Sequence, residues 1–175
     1  MASYSIDNAH SDVSFSVRHM VFAKVRGHFT KWTATLEIDE ADPAKSSVEA
    51  TIEAASIDTR DAQRDTHLKS ADFLEVEKHP TITFKSKRVE RAGKGHYKVT
   101  GDLTIRGVSR EVPLDIEELG GGKDPWGNQR IGFLAKGTLN RTDWGLKWNQ
   151  ALEAGGVLVG EKVDVELDIQ AIKKS

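Results

Sequence analysis

The residues best able to bind a metal or move a proton are six histidines: His10, His19, His28, His67, His79 and His96. A zinc site needs three or four ligands converging on one point, and a spacing such as His-x-x-x-His places two of them on one helix face. No pair here has that spacing, and Asp65-x-His67 sets its two members on different faces of a helical segment. The absence of cysteine removes disulfides, thiolate metal sites, iron–sulfur clusters and thiol nucleophiles. The serines lack a Gly-x-Ser-x-Gly elbow. No Gly-x-Gly-x-x-Gly or phosphate-binding loop occurs, and Gly120-Gly121-Gly122 is not followed by Lys-Ser or Lys-Thr. These patterns give no catalytic residue, no metal ligand and no cofactor site.

Two charges and four indoles invite a binding role instead. Arg141-x-Asp143 reads either as an ion pair that fixes a bend or as a guanidinium placed for a phosphate or other polar head group. His19 shares the phase of Val13, Phe15 and Val17, so it is expected to point inward, as a hydrogen-bonded inner histidine or a head-group contact. Trp32, Trp126, Trp144 and Trp148 suit a barrel mouth, since indole joins an apolar body to one donor, and Trp32 suits core packing equally.

The elements that would position these residues are strands. Val13, Phe15 and Val17 alternate with polar residues, which marks a half-buried strand. Val25, Gly27 and Phe29 are out of phase with Trp32, Ala34, Leu36 and Ile38, so one long strand with a bulge near Lys31 is expected. Further alternation runs through Val48 to Ala54, Ile82 to Phe84 and Tyr97 to Ile105, and from Val108 to Ile116 after an Arg106-Gly107 turn. Gly120 to Gly127 reads as a loop, followed by strands over 131–139 and 157–169. Residues 61–75 have helical composition, with Asp58 or Thr59 placed to cap them and Pro80 beyond. Eight strands with one helical excursion predict an all-β, antiparallel up-and-down barrel over a single domain, residues 1–175, with a β-sandwich as the alternative. Small residues on the inward phase (Gly27, Ala34, Ala50, Ala54, Gly101, Ala135 and Gly137) fit either a packed taper or a hollow centre.

Composition narrows the partners. With 27 Asp and Glu against 25 Lys and Arg the net charge is −2, which gives no electrostatic case for nucleic acid. No stretch approaches the roughly 20 apolar residues of a membrane span, so stable membrane insertion is not expected. Met1 to Asp7 has neither a basic nor an apolar signal region, which favours a cytoplasmic location, with a trimmed periplasmic form as the rival.

A series of short motifs carries a resemblance. Tyr4-x-Ile6-Asp7-x-x-His10-Ser11 is followed by Val13-x-Phe15-x-Val17-x-His19 and Val25-x-Gly27-x-Phe29. Ser70-x-Asp72-Phe73, His79-Pro80-x-Ile82-x-Phe84, Val99 to Gly107, and Arg141-x-Asp143-Trp144-Gly145 complete it. In this order and spacing, over residues 4 to 172, the chain resembles the YceI-like family of bacterial proteins. The resemblance implies an extended lipocalin-like barrel whose apolar cavity holds a polyisoprenoid or similar lipid, commonly in a homodimer. Relatives often carry an export signal, a pattern from which Met1 to Asp7 departs, so periplasmic residence is not the first expectation, and they often have Phe where Trp144 stands.

The function expected on these grounds is the binding, storage or transport of a polyisoprenoid or isoprenoid quinone. A binder of another amphiphile, such as a fatty acid or fatty amide, and a small lipid-modifying enzyme are the alternatives. The cavity wall and mouth are expected to draw on Phe15, Val17, His19, Phe29 and Trp32, then on Ala50, Ile52, Phe73 and Phe84. Leu103, Phe133, Ala135, Arg141 and Trp144 complete the expected set. A five-carbon isoprene unit contributes about 4 kcal/mol before ordering costs, from roughly 0.8 kcal/mol per buried methylene. Several units suffice for tight binding with no polar anchor.

Overall fold

A computed structural model describes residues 1–152 and 156–174. The alternating segments form eleven strands: β1 (Ala2–Ile6), β2 (Asp12–His19), β3 (Ala23–Phe29), β4 (Trp32–Ile38), β5 (Ser47–Glu53), β6 (Ile57–Asp58), β7 (Thr81–Gly93), β8 (His96–Ile105), β9 (Val108–Lys123), β10 (Gln129–Asn140) and β11 (Val159–Lys173). All pairings are antiparallel, in the order β1-β4-β5-β7-β8-β9-β10-β11-β2-β3-β6, and β1 also pairs with β11. That last pairing closes the barrel. β11 is long enough to meet β2 along its first half and β1 along its second.

Eleven strands make eight staves because three staves are broken. β1 and β2 are one path interrupted by a short turn at Asn8–His10, where the Asp7 carboxylate accepts from the Ala9 amide. β3 and β4 are interrupted at Thr30 and Lys31, whose backbone turns instead to Ser56 and Glu53 (3.1 and 2.9 Å). This break is where the apolar phase passes from Phe29 to Trp32, so the slip visible in the sequence is a change of strand partner. β5 and β6 are separated by a turn at Ala54–Ser56. The β1–β11 pairing closes the sheet into a barrel, while β6 and residues 23–27 of β3 are paired on one side only.

Several local expectations needed correction. Gly120 to Gly122 lie within β9, opposite Gly132, Ile131 and Arg130 of β10, and only residues 124–128 form the connection. A Cβ on Gly121 would come within 2.5 Å of the Arg130 carbonyl oxygen, so glycine serves close strand approach there. The helix is α1 (Ala62–Lys69), and its cap is Asp61, whose carboxylate accepts from the Arg64 amide. Asp58 and Thr59 are occupied elsewhere: Asp58 accepts from the Arg60 amide, and Thr59 donates to Asp65. Ser70 to Leu74 continue as turns. β11 begins at Val159, and Val157 belongs to an isolated bridge with Ala151. The Arg106-Gly107 hairpin stands as read, with φ of +51° and +73°, the left-handed pair that a tight two-residue turn requires.

Candidate functional site

The barrel encloses a cavity of about 630 Å³. Its middle is walled by inward residues of every stave, among them Phe15, Ala34, Ala50, Phe84, Val99, Leu114, Ala135 and Leu167. Six of the seven small residues on the inward phase divide into two groups, and Ala54 lies outside both, on the turn after β5 and within the buried core. Ala34, Ala50 and Ala135 face the cavity. Gly27, Gly101 and Gly137 instead lie beneath the side chains of Phe15, Phe84 and Leu114, which would collide with any added Cβ. The glycines therefore let Phe15, Phe84 and Leu114 lie close against the wall, and the alanines leave the space in front open. A pocket of this size falls within the range that small-molecule sites occupy.

One end is closed by side chains from α1 and its following turns, and by the β10–β11 connection: Leu68, Phe73, Leu74, Arg141, Trp144 and Leu146. Trp144 is 3% exposed and its Nε1 donates to the Leu103 carbonyl at 2.9 Å. Phe73 packs against His67 and Trp148, with ring centroids 5.1 and 5.5 Å away. The Phe73 carbonyl accepts from Arg106 Nη1 at 3.1 Å, so the tight β8–β9 hairpin holds this plug in place.

Arg141 is the buried cation of this end, 5% exposed. Its Nε donates to the Gly160 carbonyl (2.8 Å) and its Nη2 to Val159 (3.2 Å). Its Nη1 donates to both Leu146 (2.6 Å) and Trp148 (3.0 Å). Four of the five guanidinium donors are thus used on backbone, and the Phe73 ring lies 5.9 Å from Cζ. Desolvation draws its pKa below the usual arginine value, with Glu161 opposing. The arrangement ties the irregular β10–β11 connection to the start of β11.

The other end is open and acidic. Glu37, Asp39, Glu40 and Glu118 line it with Pro43, Ser46 and Ser47. Glu37 accepts from the Ser3 hydroxyl at 2.6 Å, and Asp39 accepts from the Ala41 and Asp42 amides. Tyr4 is 2% exposed beside this rim. Burial, then the Glu40 and Glu118 charges, push its hydroxyl pKa up. Outside the rim, Arg130 donates to Asp7 and to Asp124, both at 2.7 Å. That contact is the main reason both carboxyls are held at about 2, with His10 also lowering Asp7.

The structure brings nearly all of the sequence-selected residues together. Phe15, Val17, Phe29, Trp32, Ala50, Ile52, Phe73, Phe84, Leu103, Phe133, Ala135, Arg141 and Trp144 all line the cavity. His19 does not. It ends β2 opposite Val159 and Ala23, past the last inward position, where the stave turns into a hairpin. The Arg141–Asp143 ion pair is also absent: Arg141 faces carbonyls, and Asp143 uses its own carbonyl to accept from Arg110 Nε at 3.0 Å. The indoles separate as well. Trp126 is 81% exposed on the β9–β10 hairpin, and Trp148 packs edge-to-face with His67. Sequence reasoning passed over Val89, Val99, Ile116 and Ile131, which strand phase would have supplied, and Leu74 and Leu146, which lie in turn and irregular backbone and carry no periodic signal.

A closed antiparallel barrel of eight staves around an apolar cavity is a lipocalin-like architecture. Within it the chain belongs to the YceI-like domain family, which it matches over residues 4–171. UPF0312 protein SAS2572 of Staphylococcus aureus is 40% identical over 167 residues, covering 95% of each chain. Among solved structures, BcnA of Burkholderia cenocepacia matches with a TM-score of 0.83 at 25% identity, covering 94% of this chain and 98% of that one. The Campylobacter jejuni YceI protein matches at 0.76 and 32%, covering 97% and 96%. A Saccharophagus degradans domain described as polyisoprenoid-binding shares the fold at 0.71 and 15% identity, covering 99% and 100%.

Proposed function

We propose that this protein holds and carries a long apolar lipid, a polyisoprenoid or isoprenoid quinone, in its barrel cavity and performs no chemistry on it. The observation that carries this reading is the wall itself, almost wholly aliphatic and aromatic, with charged groups confined to its two ends and the mid-wall Ser14 donating its hydroxyl to the Glu166 carbonyl. Acid–base catalysis needs two polar groups within reach of one substrate atom. Mid-cavity positions such as Phe84, Val99 and Ala135 supply none. At the closed end Arg141 spends its donors on carbonyls, so the ligand is held by burial rather than by an ionic anchor. The likeness to a domain described as polyisoprenoid-binding supports the same ligand class. No cofactor is required, since the lipid is the cargo.

The test is extraction of the purified protein with organic solvent, followed by mass spectrometry of the extract. A polyisoprenoid or isoprenoid quinone in near-stoichiometric amount is expected. A fatty acid or fatty amide in its place would move the assignment to another amphiphile. A clean extract from protein that also fails to take up an added polyprenyl alcohol would remove the carrier reading.

A further inference from the structure

The hairpin joining β2 to β3 consists of Met20, Val21 and Phe22, and all three point away from the core: they are 41%, 57% and 79% exposed. Val157, 42% exposed, extends the patch, since the Leu158 carbonyl accepts from the Met20 amide and Val21 packs against Gly156. Met20 and Val21 hold φ of +54° and +71°, a conformation costly for any side chain and most of all for a β-branched one. Glycine or asparagine would make this turn at lower cost. The turn geometry therefore does not explain the choice of residues.

The surroundings are cationic. Arg18 and Lys24 face each other across the β2–β3 ladder, and Arg26 follows opposite Ser16. All three lie on the outward phase, opposite to Phe15 and Val17. Among the described residues none of the three is in an ion pair. The nearby β11 carboxylates are Glu161 and Asp164, and Asp164 already accepts from the Thr138 hydroxyl. The cavity mouth with Glu40 and Glu118 lies at the far end of the barrel, so the acidic rim and this apolar, cation-flanked hairpin are at opposite ends.

A second copy docking by the same patch would set like charges against each other across a two-fold axis. An anionic bilayer meets both halves of the pattern, since apolar side chains enter the boundary between headgroups and acyl chains while lysine and arginine contact lipid phosphates. We propose that the Met20–Phe22 hairpin docks this protein on an anionic lipid surface, with Arg18, Lys24 and Arg26 as the contacting cations. Three apolar residues cannot span a bilayer, so docking is peripheral and reversible, and it orients the acidic mouth away from the surface. This inference stands on the exterior of the barrel and does not depend on what fills the cavity.

The test is co-sedimentation of the full chain with phosphatidylglycerol–phosphatidylcholine vesicles and with phosphatidylcholine vesicles alone. Binding is expected only to the mixed vesicles, and raising salt is expected to weaken it. Phe22→Ser and the pair Arg18→Glu with Lys24→Glu are each expected to lower the partition coefficient at least about tenfold, with unchanged far-ultraviolet dichroism. Phe22→Trp retains an apolar tip, so it is expected to bind and to shift its emission to the blue on the mixed vesicles. No binding by the wild type, or equal binding by Phe22→Ser, would overturn the proposal. So would a solution dimer that Phe22→Ser dissolves, which would assign the patch to a second copy.

Discussion

At the closed end of the barrel a guanidinium is buried among backbone carbonyls, while outside the open end another lies between two carboxylates. Arg141 gives four hydrogen bonds to Gly160, Val159, Leu146 and Trp148 and, among the described residues, has no counter-ion in contact. Arg130 bridges Asp7 and Asp124. Both cations pin irregular backbone, the first the β10–β11 connection and the second the β9–β10 hairpin and the N-terminal stave. The partners make the difference. Carbonyls do not titrate, so the Arg141 bonds are insensitive to acid but intolerant of truncation. Carboxylates do titrate, so the Arg130 bridge carries a pH dependence that the Arg141 bonds lack.

The two tryptophans near these ends give the largest expected contrast. Trp144→Ala removes a ring that is 3% exposed and its bond to Leu103, and is expected to cost about 3–5 kcal/mol in chemical denaturation. Trp126→Ala removes one that is 81% exposed and is expected to stay within about 0.5 kcal/mol. Comparable losses at the two sites would mean the ends are not built differently.

Arg141→Met is next, because it strands four carbonyls that the guanidinium now satisfies. A cost on the order of 3 kcal/mol is expected in the same measurement, and Arg141→Lys recovers only part of it, since an ammonium lacks the planar fork. A loss below about 1 kcal/mol would show that water or backbone rearrangement replaces those bonds.

The smallest effect is the acid response of the open end. Asp7 and Asp124 are held at about 2, below their ordinary value of 3.8. In the pH range between these values the unfolded chain binds more protons than the folded one, so stability rises with pH. The contribution is complete above the ordinary carboxyl value and is lost as pH falls through about 2. Arg130→Met is expected to flatten the stability profile between about pH 4 and pH 2. Arg141→Met is expected to leave its slope as in the wild type. An unchanged slope for Arg130→Met would remove the bridge from the account.

The staves and their inward faces were legible because burial on one face of a strand writes a period of two into the sequence. Even the broken stave at Thr30 and Lys31 showed as a phase slip between Phe29 and Trp32. The closed end was not legible to the same degree. Leu74 and Leu146 lie in turn and irregular backbone, where no period marks the buried side, and Arg141-x-Asp143 suggested a pair that the chain does not form. His19 misled because strand phase cannot tell where a stave stops. The glycines of β9 misled because close strand approach and loop freedom select the same residue.

The central claim, that the barrel is hollow where an apolar ligand would lie, is tested most directly at Ala135, which lines the cavity in the middle of β10. Uptake of a polyprenyl alcohol by wild type and Ala135→Phe is measured beside their denaturation midpoints. The account predicts at least a tenfold loss of uptake with little change in midpoint, because the added ring enters open space. A variant destabilised by about 1–3 kcal/mol would contradict it and show a close-packed core at this position.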